Sequence, residues 1–230
     1  MYDGNMFSPG TERGAAAWVT ALAIVLGAGC GASSAHMYLL KPPRALVVPR
    51  DGAVVVFVRP SNYLKTEAFT IVDGRGRFLG ESLPASHFAV RVPPGRHVFV
   101  VCRDGGGSLD ATVAPGLVYY VEVAPTPRFD IVGAALGVRE DSHRVDLVAL
   151  KPGAAHWDKL PQWVAETEQY AADEAAGQAD LYYDPPDGFD QCVARGNQDP
   201  TERSAEGPGA FTLEREDGVP APGITPGSVE

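Results

Sequence analysis

The chain has 230 residues, which is enough for one well-buried core with appendages. Its net charge is −10, but residues 1–150 carry 14 basic and 13 acidic residues, whereas residues 151–230 carry 5 and 16. The sequence contains no basic stretch of the kind that holds phosphate backbones, so we do not expect nucleic acid as a partner.

Residues 1–30 have the pattern of an export signal. Residues 1–13 are polar, and residues 14–29 are apolar and uncharged, GAAAWVTALAIVLGAG. The stretch Leu26–Cys30 resembles the bacterial lipobox, in which the chain is cut before a cysteine that is then acylated. The large aliphatic residue, Leu26, is one position further from the cysteine than is usual in that motif. The pattern predicts that Cys30 is a lipid anchor and that membrane lipid is a partner.

Two other interpretations of this segment remain open. Residues 14–40 contain no Asp, Glu, Lys or Arg, and this length exceeds the roughly 20 residues that span a bilayer as an uncleaved helix. A secretory signal cleaved without modification of Cys30 is the third interpretation. The first two interpretations attach the chain to a membrane, and all three place its body outside the cytoplasm. We expect the cell envelope, with the domain on the periplasmic side of a membrane that could be the outer one.

Residues 31–52 follow this segment and include the sequence KPPRALVVPR. The prolines and scattered charges predict a short extended linker that holds the folded domain away from the lipid surface.

Residues 53–150 consist of short runs of β-branched and aromatic residues bounded by Gly and Pro. The predicted strands outside the central hairpin described next are Ala53–Arg59, Ala68–Asp73, Phe78–Glu81, Leu109–Val113, Leu117–Val123 and two weaker ones around Phe129–Val132 and His143–Leu150. Because no helical stretch separates them, the pattern predicts an all-β fold, an antiparallel β-sandwich.

The central stretch Ser86–Arg103 is predicted to form a β-hairpin closed by Pro93-Pro94-Gly95. Apolar residues alternate with other residues on both sides of the turn, as in half-buried strands. In the preferred register Val92 lies opposite His97, and the alternating apolar side chains of both strands then share one face.

Four motifs in order, AVVVFVRPSNY, IVDGRGRFLGE, HFAVRVPPGRHVFVV and APGLVYYVEV, cover much of Ala53 to Leu150. Together they resemble a domain-of-unknown-function family common in bacterial lipoproteins, the one numbered twenty-eight forty-six. The resemblance implies a sandwich similar in shape to transthyretin-like, PEGA-type and carboxypeptidase-regulatory-like domains. It supplies no catalytic residues.

The last third of the chain is predicted to contain one helix and a tail. Within residues 151–180, the stretch Trp157–Ala176 favours one amphipathic helix, laid against the sandwich through Leu160, Trp163 and Tyr170. Residues 181–230 combine repeated Pro and Gly with acidic residues and predict a disordered acidic tail.

Residues able to carry chemistry are few. In the preferred hairpin register His87 and Cys102 are cross-strand neighbours on the face away from the core, so a metal or thiol site is conceivable there, although ordinary surface pairing is the better explanation. The histidines show no metal-ligand spacing such as HxH or HExxH, and the chain has no GxSxG motif. We therefore predict no catalytic residues, no metal and no cofactor.

Two further pairs of residues bear on function. Outside the cytoplasm Cys102 and Cys192 could form a disulfide. Tyr119 and Tyr120 point to opposite faces of their strand, so that one belongs to the core and the other could be an exposed aromatic for binding sugars.

The sequence thus favours a membrane-anchored envelope lipoprotein that carries a non-catalytic β-sandwich interaction module, with an envelope protein or a cell-wall polymer as its partner. A carbohydrate- or peptidoglycan-binding module is the first alternative. A metal-dependent or thiol enzyme using His87 and Cys102 is the second.

Overall fold

The computed structural model of the chain describes residues 32–103, 105–127, 143–186, 188–197 and 211–221. All of them belong to one unit, which begins at Ala32. The predictions for residues 1–31, including the export signal and Cys30, lie outside the described residues. The same is true of the strand expected around Phe129–Val132.

Within this part of the chain most of the regular structure is β. The strands are β1 (Met37–Leu39), β2 (Ala53–Arg59), β3 (Phe69–Asp73), β4 (Phe78–Ser82), β5 (Ser86–Val92), β6 (Gly95–Cys102), β7 (Ser108–Val113), β8 (Val118–Pro127), β9 (His143–Leu150), β10 (Glu168–Ala172) and β11 (Phe211–Leu213). The helices are α1 (Leu160–Glu166), α2 (Glu174–Tyr183) and α3 (Phe189–Asn197), with single 3-10 turns at Trp157–Lys159 and Arg215–Asp217.

The strands form two sheets. One has six strands in the order β1-β10-β5-β2-β8-β9, and the other has five in the order β11-β7-β6-β3-β4. A mostly β fold built of two sheets is therefore confirmed. The purely antiparallel arrangement is wrong, because β2 runs parallel to β8, β10 to β5 and β11 to β7, which makes both sheets mixed.

The main core lies between the two sheets. Phe57 of β2 stacks on Phe88 of the neighbouring strand, with ring centroids 5.2 Å apart, and meets Phe99 of the opposite sheet edge-on at 5.4 Å. All three rings are almost completely buried. Burial of a side chain of this size stabilises a fold by roughly 1.5–3 kcal/mol, so these rings hold the two sheets together.

The expected hairpin at Ser86–Arg103 is not a hairpin. β5 lies between β2 and β10 in the six-stranded sheet, and β6 lies between β3 and β7 in the five-stranded sheet. Val92 pairs with Ala53, and His97 pairs with Ala111, so the predicted register does not exist. An alternating pattern fixes which side chains face the core but not which strand is the partner. The Pro93-Pro94-Gly95 segment carries the chain from one sheet to the other.

The outer faces of both sheets are covered as well. Leu160 and Trp163 of α1, with Trp157, pack on β2 and β8 in a second cluster that includes Val54 and Val56. On the five-stranded sheet, Leu181 of α2 and Cys192 of α3 pack against Phe78, Val100 and Cys102. The predicted contact of Leu160 and Trp163 with the sandwich is confirmed.

The single helix predicted within residues 151–180 is wrong. The helix α1 ends at Glu166, and Glu168–Ala172 then forms β10, which pairs with β1 on one side and β5 on the other. Tyr170, expected on the helix, lies on this strand and packs against the main core. The free edge of β5 offers hydrogen bonds and an apolar surface, and these outweigh the helical preference of the sequence EQYAA, because tertiary contacts routinely override propensity.

Two other predicted boundaries are corrected. Residues 31–52, expected to be only a linker, contain β1, whose Met37 is buried in the main core. The preceding His36 has Nε2 2.8 Å from Oδ2 of Asp180, which ties this segment to α2. Residues 181–230, expected to be disordered, contain α3 and β11, because Phe189, Cys192 and Leu213 have apolar surfaces to cover.

Arg59 lies fully buried at the end of β2. Its guanidinium donates hydrogen bonds to the carbonyl oxygens of Tyr63, Leu64, Glu67 and Ser82 at 2.7–3.1 Å and lies 4.1 Å from the centre of the Phe69 ring. Burial lowers the pKa of Arg59 to about 10, and the nearby Glu67 opposes this shift. The side chain remains charged at neutral pH and holds the loop between β2 and β3 in place.

Candidate functional site: an arginine-lined cleft

A cleft of about 820 Å³ lies at one end of the five-stranded sheet. Its volume falls within the range of small-ligand sites. Three segments line it: the β3–β4 turn, the β5–β6 connection and the end of α3. The lining residues are Asp73, Gly74, Arg75, Arg77, Pro93, Pro94, Arg96, His97, Val98, Gly196 and Asn197. We refer to this site as the arginine cleft.

The β3–β4 turn is built around the carboxylate of Asp73. Its Oδ1 accepts hydrogen bonds from the backbone N–H groups of Arg75 and Arg77, both at 2.9 Å, and its Oδ2 lies 3.2 Å from Nε of Arg77. Gly76 completes the turn at a φ of +80°, a region that glycine enters without steric cost. This turn presents Arg75, and no ion pair among the described residues includes the Arg75 guanidinium.

The β5–β6 connection supplies the second wall. Nη2 of Arg96 lies 3.2 Å from Oδ1 of Asp110 on β7. Nε2 of His97 lies 2.7 Å from the carbonyl oxygen of Pro93, and its ring stacks on Phe99 at 6.0 Å. Because a carbonyl oxygen only accepts, Nε2 carries a hydrogen, and His97 holds the proline segment against the core.

The third wall is the end of α3, which contacts the β3–β4 turn through two glycines. A Cβ at Gly196 would lie 2.7 Å from Cα of Gly74, and a Cβ at Gly74 would lie 3.0 Å from the carbonyl oxygen of Gly196. No side chain fits between these backbones. The pair therefore lets α3 close one side of the cleft.

The charge of the arginine cleft is opposite to that of the chain. Among the described residues, three guanidinium groups and one carboxylate, that of Asp73, line it, whereas the whole chain has a net charge of −10. Guanidinium groups donate paired hydrogen bonds to carboxylates and phosphates. The pyrrolidine rings of Pro93 and Pro94 and the Val98 side chain add apolar surface. Such a site is suited to binding an anionic group flanked by apolar atoms.

The sequence gives only a weak signal for this site. Arg75 and Arg77 occur in the turn sequence DGRGR, and Arg96 follows the turn PPG, about 20 residues later. Neither turn is strongly basic, and the pairing of β3 with β6 is what brings them together. A search for basic runs along the chain therefore misses the cleft.

His87 and Cys102 do not form a site. His87 lies on β5 in the six-stranded sheet, where its Nδ1 is 2.8 Å from Oγ1 of Thr167, just after α1. Cys102 lies on the outer side of the five-stranded sheet, in contact with Cys192. The prediction that these two side chains are cross-strand neighbours is wrong, because β5 and β6 belong to different sheets. Among the described residues, no group of three His, Cys, Asp or Glu side chains could hold a metal ion.

Cys102 and Cys192 are buried thiols, 3% and 1% exposed. Their side chains lie in the same buried cluster and interact with one another, and Sγ of Cys192 lies 3.6 Å from the carbonyl oxygen of Val101. The hydrogen bond from Cys102 and the charge of Arg195 lower the pKa of Cys192 despite its burial, and the pKa of Cys102 is raised correspondingly. The disulfide remains a prediction, but its two partners are in contact.

Tyr119 and Tyr120 do point to opposite faces of β8, and both faces are covered. Tyr119 is buried in the main core, where its hydroxyl donates to the carbonyl oxygen of Arg215 and accepts from the N–H of Ala114. Tyr120 is 9% exposed and meets Trp157 edge-on at 6.3 Å. Neither tyrosine can serve as an exposed platform for a sugar ring.

Comparisons with known proteins give no match: no family model, no curated protein and no solved structure resembles the chain significantly. The resemblance to the lipoprotein-associated family therefore stays a prediction. Among the residues that the structure describes, no helix is long and apolar enough to span a bilayer.

Proposed function

We propose that the chain is a membrane-anchored envelope lipoprotein whose β-sandwich is a non-catalytic binding module for an anionic partner. The arginine cleft is the observation that carries this proposal. The partner is an envelope protein or a cell-wall polymer that presents carboxylate or phosphate groups. The tether at Cys30 and the transthyretin-like character of the sandwich rest on the sequence patterns described above.

The cleft supports binding because its cations are preorganised. Asp73 orders the turn that presents Arg75 and Arg77, and Asp110 restrains Arg96. The Arg77 and Arg96 side chains and the backbone that carries Arg75 are then partly fixed before a ligand arrives, which reduces the ordering entropy that binding costs. An anionic oxygen entering between Arg75 and Arg96 would form charge-assisted hydrogen bonds.

A non-catalytic role is supported by the chemistry of the lining residues. The cleft contains arginines, prolines, glycines, one histidine, one aspartate, one valine and one asparagine. Asp73 is engaged by the turn, and Nε2 of His97 is engaged by Pro93. Nucleophilic catalysis needs a nucleophile and a base within hydrogen-bond reach, and among the described residues no Ser, Thr, Cys or Lys side chain lines the cleft.

The carbohydrate-binding alternative is less well supported. Exposed tyrosines do occur, at Tyr38, Tyr63 and Tyr182, but they lie on separate elements. The two tyrosines that the alternative relied on, Tyr119 and Tyr120, are covered.

The binding test uses the full-length chain in a non-ionic detergent with two fluorescent probes, a hexaglutamate peptide and a short polyphosphate. Both offer anionic oxygens, and the comparison between them distinguishes carboxylate from phosphate. We expect Arg75→Gln/Arg96→Gln to weaken binding of the preferred probe at least about tenfold, since each charge-assisted hydrogen bond contributes roughly 1.5–3 kcal/mol. Raising the salt concentration should also weaken binding.

The matched control is Arg44→Gln/Arg91→Gln, which makes the same change in net charge at two exposed arginines outside the cleft. It should bind within about twofold of the parent chain, as expected for surface positions. Equal weakening by both double variants would show that binding depends only on net charge. Failure of both probes to bind at low salt would contradict the proposed function.

A further inference from the structure

The thiols of Cys102 and Cys192 come from segments 90 positions apart in the sequence and are in contact in the fold. Cys102 is the last residue of β6, and Cys192 lies in the first half of α3. This contact is the only one between two cysteines among the described residues. A bond between them would attach α3 to the five-stranded sheet.

Helix α3 is also part of the arginine cleft. The side chains of Phe189 and Val193 lie over Gly76, within 3.3 Å and 2.9 Å of the position that a Cβ there would occupy. Gly196, at the other end of the helix, contacts Gly74. The helix thus rests on both sides of Arg75, in the turn that the proposed function places at the centre of binding.

The helix depends on tertiary contacts for its position. It has nine residues, and isolated helices shorter than about 12–15 residues are marginal in water. Besides the two cysteines, its contacts with the five-stranded sheet and its turns include the Phe189 and Val193 side chains, the glycine contact and a hydrogen bond from Arg195 to the carbonyl oxygen of Gly106. A covalent bond at Cys192 would act at the middle of this contact surface.

We propose that Cys102 and Cys192 form a thiol–disulfide clamp that fixes α3 as a wall of the arginine cleft, so that anion binding follows the redox state of the pair. This inference rests on the proposed function, because the arginine cleft is the site that the clamp would regulate. In the oxidised state the wall is fixed, and in the reduced state α3 opens more often and disturbs the β3–β4 turn.

The chemistry requires a disulfide-bearing oxidant, either a protein dithiol oxidant or oxidised glutathione. The Cys192 thiolate attacks one sulfur of that disulfide and expels one thiolate, which leaves a mixed disulfide. The Cys102 sulfur, after losing its proton, attacks Sγ of Cys192, forms the internal bond and expels the second thiol. The two cysteines lose two electrons and two protons in total, and the oxidant disulfide is reduced to two thiols.

The environment favours Cys192 as the first nucleophile. Of the two thiols it is the one whose pKa is lowered, by the Cys102 hydrogen bond and the charge of Arg195. Both sulfurs are buried, so the oxidant reaches Cys192 only when α3 opens. Oxidation then traps the closed helix, and reduction needs the helix to open again.

The test uses the full-length chain with Cys30→Ala, which leaves only the two thiols in question, in the same detergent. The protein is equilibrated with reduced or oxidised glutathione, and its peptides are mapped by mass spectrometry without reduction. We expect a Cys102–Cys192 crosslink in the oxidised sample. We also expect amide exchange in Phe189–Asn197 to slow at least about tenfold relative to the reduced protein.

Binding of the preferred anionic probe is then measured in both states. The oxidised protein should bind about five- to tenfold more tightly, because a preorganised wall reduces the cost of ordering the site. In Cys102→Ser/Cys192→Ser, added to the same parent, this redox response should disappear. Because the wild-type thiols are compared in two states, the result does not depend on whether that variant folds.

The possible outcomes distinguish failure of the clamp from failure of the proposed anion-binding function. Two free thiols after treatment with oxidised glutathione, or a crosslink that leaves exchange in α3 unchanged, would overturn the clamp. A crosslink with unchanged probe affinity would overturn the coupling to the cleft. If the probes bind neither state, the proposed function fails, while a mapped crosslink and slower exchange still support the clamp on α3.

Discussion

Arg59 and His87 are buried, although charged and titratable side chains are rarely found in protein interiors without partners. Arg59 donates to three carbonyl oxygens of the β2–β3 loop and to that of Ser82 at the end of β4, and His87 hydrogen-bonds to Thr167 just after α1. The hydroxyl of Thr167 donates to the carbonyl oxygen of Trp163 at 2.6 Å, so it accepts from Nδ1–H of His87. Both residues join a strand end to a neighbouring non-strand segment.

His87 makes stability depend on pH. Burial lowers its pKa below the ordinary value of 6.5, so the unfolded chain takes up a proton at a higher pH than the folded chain. The contribution to stability is present above pH 6.5 and is lost as the pH falls towards the folded-state pKa. We expect His87→Gln to reduce the loss of unfolding free energy between about pH 7.5 and about pH 5.5.

Urea denaturation at the two pH values measures this difference. His156→Gln serves as the matched control, because His156 is an exposed histidine beside Glu122, with Nδ1 3.0 Å from Oε2. The His156→Gln variant should keep the loss of unfolding free energy on acidification that His87 causes. If His87→Gln and the parent chain lose the same free energy on acidification, the buried imidazole does not have the assigned role.

At the scale of elements, the sequence predicts strands better than their partners. Ala53–Arg59 and His143–Leu150 have the predicted bounds because an alternating or β-branched run is a local property. The placement of β5 and β6 in different sheets depends on which edges are free, and that is decided by distant segments such as β10. For the same reason the arginine cleft could not be predicted, because it requires the β3–β6 pairing and the end of α3.

Gly177 in helix α2 tests whether side-chain packing or helix propensity has the larger effect on stability. A Cβ at Gly177 would lie 2.3–2.6 Å from three ring atoms of Phe78. Replacing glycine by alanine inside a helix usually stabilises by about 1 kcal/mol, whereas overpacking a core costs about 1–3 kcal/mol. Since Phe78 is buried between α2 and the sheet, we expect the overpacking cost to exceed the gain in helix propensity, so that Gly177→Ala destabilises the chain by up to about 2 kcal/mol.

Chemical denaturation of the single and double variants checks this expectation. Phe78→Leu provides space at the contact, so Gly177→Ala should cost less in the Phe78→Leu background than in the parent chain. An increase in stability for Gly177→Ala alone would mean that α2 does not rest on Phe78 as described.

At the scale of the whole molecule, acidic residues and the cationic site occupy different parts of the chain. The acidic residues are concentrated after residue 150, while the arginine cleft lies mainly on turns of the first half. Average composition thus conceals a cationic site on an acidic protein. Composition also conceals the order of residues 189–197, where three apolar side chains in a polar segment pack a helix onto the sheet together with the glycine contact and the Arg195 hydrogen bond.

The proposed tether is tested by metabolic labelling with a palmitate analogue in a bacterium that processes lipoproteins. The parent chain should incorporate the label and fractionate with membranes, and Cys30→Ala should lose the label because the acyl group is carried by that sulfur. Cys102→Ser/Cys192→Ser should remain labelled. An unlabelled parent chain would contradict lipidation at Cys30.

The pairing of late segments with early ones has a consequence for how the chain is made. The six-stranded sheet includes residues 168–172 between β1 and β5, and the five-stranded sheet includes residues 211–213 beside β7. A polypeptide that emerges with its N-terminus first cannot complete the first sheet until residues 168–172 have been synthesised, nor the second until residues 211–213 have. The strands that pair late stay exposed in the meantime, and unpaired strand edges are where nascent chains associate with one another.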